Sequence, residues 1–119
     1  MNNRQFGAIG EKIASGYLEE KGYRIIARNF RVGRMGEIDI IGWDGDFLCF
    51  IEVKARTNDS FGTPAEAVSP LKQATIRRMA RIFMQQYGYH ENPVRFDVVE
   101  LNMSKDLEPR YIHIIKNAF

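Results

Sequence analysis

Gly36-Glu37-Ile38-Asp39-Ile40-Ile41-Gly42-Trp43-Asp44-Gly45-Asp46-Phe47-Leu48-Cys49-Phe50-Ile51-Glu52-Val53-Lys54 is the stretch on which the fold turns. Glu37 to Trp43 reads as one strand and the strongly apolar run Asp46 to Lys54 as the next. Asp44-Gly45 between them is a two-residue hairpin signal, because glycine tolerates the positive φ such turns need. With those two residues as the turn, Trp43 pairs with Asp46, Glu37 lies opposite Glu52, and Asp39 lies opposite Phe50. Side chains alternate along a strand, so Glu37, Asp39, Glu52 and Lys54 are predicted to share a face, with Asp39 and Glu52 as diagonal neighbours. Ile38, Ile40, Phe47, Cys49, Ile51 and Val53 then line the opposite face as core.

Three acids and a lysine on one face of an otherwise apolar hairpin need a reason. Unpaired and partly buried, the carboxylates repel one another and their pKa values rise. A divalent cation removes that cost. Mg²⁺ takes oxygen ligands, commonly one or two carboxylates with water and phosphate, and such an ion polarises a phosphoryl oxygen and acidifies a bound water. Lys54, on the same face as Glu52, could orient that water or offset developing negative charge. The plain alternative is a cross-strand ladder of salt bridges, Lys54 pairing with Glu52 or Glu37 on a solvated face.

Working outward, Asn2 or Asn3 can cap a first helix that runs to about Lys21 and ends at Gly22. Phe6, Ile9, Ile13 and Tyr17 form its apolar stripe, and the small Gly7, Gly10, Ala14 and Gly16 allow close approach to another element. Tyr23 to Phe30 is a first strand and Arg31 to Gly36 a basic loop. Beyond the hairpin, Arg56 to Ala67 is a polar loop. Ser69-Pro70 opens a second helix that reaches Tyr87 and stops at Gly88. Val94 to Asn102 and Tyr111 to Lys116 are the last strands, separated by a polar turn. The order αβββαββ predicts one α/β domain over residues 1–119, a mixed β-sheet flanked by helices.

With 119 residues, 45% hydrophobic and 27% charged, the chain has the balance of one globular domain, which argues against disorder. Its net charge of +2 permits nucleic-acid binding without announcing it. Cys49 is the only cysteine, which excludes a disulfide framework and a cysteine zinc site and leaves a small buried side chain. The first residues lack the pattern of a signal peptide and no apolar run is long enough to span a bilayer, so a cytoplasmic location without a membrane partner is expected.

The second helix carries Lys72, Arg77, Arg78 and Arg81 and no acid from Pro70 to Tyr87, with Leu71, Ala74, Met79, Ile82 and Phe83 as its buried side. A helix charged only positively outside its core stripe suits phosphate contacts, although a solubilising face has the same composition. Arg28, Arg31 and Arg34, with Lys54 and Arg56, form a second basic cluster. Trp43 and Phe61 could stack on bases, yet single aromatics more often pack.

The segments Gly36 to Ile41 and Phe50 to Arg56 resemble the D-x(n)-E-x-K signature of the PD-(D/E)XK nuclease superfamily. More narrowly they resemble the bacterial YraN-like family, related in fold to restriction endonucleases and archaeal Holliday-junction resolvases. The likeness extends to Gly7-x-x-Gly10-Glu11, Gly22-Tyr23, Pro64 to Val68 and Arg95 to Val99. The proline that names the superfamily is absent, since Ile38 precedes Asp39. The resemblance implies a restriction-endonuclease-like fold and a Mg²⁺- or Mn²⁺-dependent endonuclease acting on DNA, on branched or single-stranded forms among others. Asp39, Glu52 and the carbonyl of Val53 would then be metal ligands and Lys54 the catalytic lysine. Glu11 would complete the site. Arg34, Arg56, Lys72, Arg77, Arg78 and Arg81 are the nucleic-acid contacts expected with it, and a homodimer follows by analogy alone. The reading from another class is a non-catalytic nucleic-acid-binding module that retains the fold.

Overall fold

The computed structural model describes residues 3–57 and 68–119. Phe61 and the Pro64 to Ala67 part of the resemblance lie outside the described residues. Two helices flank a five-stranded sheet in the order α1 (Asn3–Glu20), β1 (Arg24–Arg31), β2 (Glu37–Asp44), β3 (Phe47–Arg56), α2 (Pro70–Tyr87), β4 (Val94–Met103) and β5 (Pro109–Ile115). The expected α/β class and αβββαββ order are therefore those of the molecule, with strand ends moved by one or two residues. Spatial order follows chain order, β1-β2-β3-β4-β5. All neighbours are antiparallel except β3 and β4, which are parallel and joined through α2, the crossover a parallel pair requires. Among the described residues no helix is long and apolar enough to cross a membrane.

Each helix covers its own core. Ile76, Met79, Ala80 and Phe83 of α2 pack with Ile38, Ile41, Leu48, Phe50, Phe96 and Val98. Ala14 and Leu18 of α1 pack with Tyr23, Ile40, Cys49, Ile51 and Val99. Full burial of an aliphatic or Phe side chain stabilises by about 1.5–3 kcal/mol, so these clusters fix both helices on the sheet. Ser69 caps α2 by accepting the Lys72 amide at 3.1 Å, and Gly88 closes it in the left-handed region at φ 77.

Four expectations are corrected. The hairpin turn is Gly45-Asp46, flanked by the pair Asp44 and Phe47, so Trp43 faces Leu48 instead of Asp46. Gly45 has φ 60 and occupies the first central position, where a type II′ turn wants glycine. The register is two residues from the expected one, which preserves side-chain parity and sets Asp39 one step past the Ile40–Ile51 rung, toward Glu52.

The buried face of α1 runs through Gly10, Ala14 and Leu18, with Phe6, Ile9, Ile13 and Tyr17 half-buried beside it. The close approach of small residues wins over the larger stripe: a Cβ added at Gly10 would lie 2.9 Å from that of Ala55. On α2, Leu71 is 78% exposed and Ala74 is exposed, because the face that meets the sheet is Ile76-Met79-Ala80-Phe83.

The alternation along β2 also breaks. Ile38 lies in the α2-side core and Ile40 in the α1-side core, although two residues apart on a regular strand share a face. Opposite them on β1, Phe30 pairs with Ile38 and packs on the α2 side, while Arg28 pairs with Ile40 and reaches Glu19 of α1 at 3.8 Å. The residue between, Asn29, has φ 53. This left-handed residue interrupts the pleat without shifting the register, which slips instead between Ile25 and Ala27, and the faces of both strands reverse around Asn29.

Candidate functional site

The acids gather where that pleat breaks. At the end of the β2–β3 ladder the carboxylate of Asp39 accepts the Val53 amide at 2.8 Å. Burial pushes the Asp39 carboxyl up, the neighbouring Glu52 carboxylate pushes it further, and together they raise its pKa to about 8 against the lowering effect of the Val53 amide. Glu52 is 6% exposed, and its Oε2 is buried without a hydrogen-bond partner among the described residues. The Lys72 ammonium, from the first turn of α2, lies 3.6 Å from Glu52 Oε2 and 3.3 Å from the Glu37 carbonyl.

From the other side α1 brings Glu11. Glu11, Glu37 and Asp39 each place a carboxylate oxygen within 4.8 Å of the others. Asn29 Nδ2 donates to Glu11 Oε1 at 2.6 Å and to Glu37 Oε1 at 2.5 Å. Arg31 donates Nε to Glu37 Oε2 at 2.8 Å and brings Nη2 to the same oxygen at 2.7 Å. Burial raises the Glu11 pKa, the Asn29 donor opposes that rise, and Asp39 and Glu37 add to it. A cleft of about 330 Å³ lined by Arg4, Gly7, Ala8, Glu11, Asn29, Arg31 and Glu37 opens on the cluster. A second, of about 280 Å³, shares Arg31 and Glu37 with it and reaches Gly33, Arg34 and Gly36.

Of the expected site residues, Asp39 meets Glu52 on one side and Glu11 on the other, and Val53 donates its amide to Asp39. Lys54 follows on β3 as a half-buried residue beside Glu100 of β4, with no hydrogen bond or ion pair among the described residues. Lys72, expected as a phosphate contact, stands in the first turn of α2 with its ammonium 3.6 Å from Glu52 Oε2. Arg77 is exposed, with its guanidinium over Phe96 at 4.7 Å and Phe119 at 5.6 Å. Arg78 and Arg81 are exposed, Arg34 is exposed on the β1–β2 loop, and Arg56 is half-buried at the end of β3. Trp43 packs edge-on against Tyr89 at 5.3 Å.

Asn29 was not anticipated. The signal was an asparagine, poorly suited to strands yet tolerant of left-handed backbone, inside a strand pattern. An oxygen-only donor set that includes an orphaned buried carboxylate oxygen fits a hard divalent cation, which prefers carboxylate, carbonyl and water ligands. Asp39, Glu52 and Glu11 are the residues that would hold it.

Fold and site together define a small mixed α/β domain that collects acids from both of its faces at the splayed end of a central hairpin. The chain belongs to the uncharacterised protein family UPF0102, whose model matches residues 10–101, the YraN-like family expected from the motifs. It is 48% identical to a UPF0102 protein of Acetivibrio thermocellus, over 99% of this chain and 93% of that protein. It is 43% identical to those of Clostridium kluyveri, over 98% and 95%, and Caldicellulosiruptor saccharolyticus, over the whole of both.

Proposed function

We propose that the chain is a metal-dependent nuclease of the PD-(D/E)XK type, restriction-endonuclease-like, that hydrolyses phosphodiester bonds in DNA, branched or single-stranded forms included, in the cytoplasm. The observation that carries this reading is the Asp39–Glu52 pair: a half-buried carboxyl held up to about 8 beside a buried carboxylate with one oxygen that has no hydrogen-bond partner among the described residues. Such a pair is costly unless a cation joins it. Bound Mg²⁺ or Mn²⁺ would supply Lewis-acid polarisation of the phosphoryl group and a more acidic water. Asp39 and Glu52 would hold the ion, with Glu11 completing the site from α1. Lys54, two residues beyond Glu52, would orient the attacking water or offset charge on the phosphate. Arg31 and Arg34 line the clefts that meet at Glu37, and with the exposed Arg78 and Arg81 they offer guanidinium groups for the phosphate backbone. A homodimer would supply a second site for a second strand.

One observation favours the non-catalytic binding module. Lys72 lies against Glu52, as an internal counter-ion would in a site that works without a metal. Cleavage decides between the two. Labelled single-stranded, duplex, flap and four-way-junction DNA would be incubated with Mg²⁺ or Mn²⁺ and wild type, Asp39→Ala or Lys54→Ala protein. Cutting by wild type alone is the expected result, and equal cutting by all three would sink the assignment. Salt-sensitive binding without cutting would establish the binding module.

A further inference from the structure

Glu11 and Glu37 arrive on different elements, α1 and β2, and carry like charge, yet one nitrogen joins them. Asn29 Nδ2 has two hydrogens and spends one on each carboxylate. The register Arg28–Ile40 and Phe30–Ile38 sets Asn29 opposite Asp39, so the residue that ties two of the acids also faces the third. Its φ of 53 is uncommon for a side-chain-bearing residue. Asparagine meets that cost most easily after glycine, because its short amide bonds locally. Backbone strain of this kind persists where surrounding contacts demand it, and it concentrates at functional sites. Here the contacts are those two carboxylates, together with Arg31, which takes the second oxygen of Glu37.

From this geometry we infer that Asn29 is a positioning residue of the metal site: its left-handed backbone and forked amide hold Glu11 against Asp39, with Glu37 as the anchor. Glu37 has both oxygens engaged by Asn29 and Arg31, whereas Glu11 takes its Asn29 bond on Oε1, so Glu11 is the freer of the two to meet a cation. The inference rests on the metal-site reading proposed above and adds the device that assembles it.

The test uses two substitutions that both tolerate the left-handed backbone. Asn29→Gly keeps the turn and deletes the amide, whereas Asn29→Asp keeps the shape and replaces two donors with a fourth carboxylate. Mn²⁺ binding is measured by titration calorimetry, with thermal melting in chelator as the check on folding. Partners that orient metal ligands typically contribute 10- to 100-fold in affinity. We expect Asn29→Gly to bind Mn²⁺ about tenfold more weakly than wild type while melting within a few degrees of it. Asn29→Asp adds a negative charge that attracts the ion, so it serves as the charge control and an affinity at or above wild type is expected there. Wild-type affinity in folded Asn29→Gly would overturn the inference and leave the metal site standing. Absence of Mn²⁺ binding by the wild type would overturn both.

Discussion

The side chain of Asp39 accepts the amide of Val53 at 2.8 Å, taking a donor beyond the point where the β2–β3 ladder has stopped. The carboxylate is thus wedged into the sheet beside Glu52, where burial and that neighbour raise its pKa to about 8. In the unfolded chain an aspartate titrates near 4. A raised folded-state pKa means stability that is complete below the unfolded value and lost as pH rises through the folded one. In chelator, the melting temperature of the wild type should therefore fall between about pH 4 and pH 8, and Mn²⁺ should restore it most at the alkaline end. Asp39→Asn should flatten the slope. A wild-type slope in that variant would mean that some other group carries the pH dependence.

Lys72 and a divalent cation would compete for the same oxygens. The ammonium is 3.6 Å from Glu52 Oε2, with the lysine side chain 35% exposed and that of Glu52 7%. Lys72→Met should lower stability in chelator by about 1 kcal/mol, as expected for a half-exposed pair whose buried partner is left alone. The same change removes a positive charge from the ion's neighbourhood and should tighten Mn²⁺ binding roughly tenfold. Calorimetry on wild type and variant measures both effects. Weaker Mn²⁺ binding in the variant would show that Lys72 aids the ion.

Much of this arrangement was legible in the chain because period-2 and helical patterns report local geometry. The Asp44-Gly45 signal found the hairpin but misplaced its turn by one residue on each strand. The resulting shift of two residues preserved parity, so Asp39 and Glu52 still met. What the strand pattern hid was the role of Asn29, whose left-handed backbone and bonds to Glu11 of α1 and Glu37 of β2 are tertiary facts. Consequently the swap of faces between Ile38 and Ile40 was also missed. Lys72 looked like any basic helix residue, and only the docking of α2 shows its ammonium turned inward.

Gly10 lies tight against the sheet, and Glu11 is the next residue. A methyl group at Gly10 would meet Ala55 Cβ at 2.9 Å and also approach Leu101 and Met103. Helix propensity alone favours Gly→Ala by about 1 kcal/mol, but overpacking costs about 1–3 kcal/mol. Gly10→Ala is expected to be net destabilising and to weaken Mn²⁺ binding by displacing Glu11. At Gly16 an added Cβ meets nothing within 4 Å, so Gly16→Ala should stabilise by up to about 1 kcal/mol. Denaturant unfolding of the two variants should move in opposite directions. A shift of the same sign in both would mean that α1 slides to accept the methyl.

The turn end of the hairpin carries a different ion network, which separates stability from chemistry. Arg95 donates to Asp97 at 2.8 and 2.9 Å, to Asp44 at 2.7 Å and to the Tyr23 hydroxyl at 2.8 Å, while Lys116 also reaches Asp44 at 2.9 Å. Asp97 is fully buried and accepts further bonds from the Tyr23 hydroxyl and the Asn117 amide. Removing one partner of a buried pair typically costs about 3–5 kcal/mol, because the other charge stays behind uncompensated. Arg95→Met should therefore destabilise by about 3 kcal/mol, and Asp97→Asn in that background should recover part of the loss by removing the stranded charge. Mn²⁺ affinity should not change in any variant that remains folded, since Arg95 touches none of the acids at the splayed end. The Arg95 to Val99 segment would then belong to the resemblance by virtue of holding β4 in the sheet. A fall in Mn²⁺ affinity with folding intact would instead couple the two ends of the hairpin.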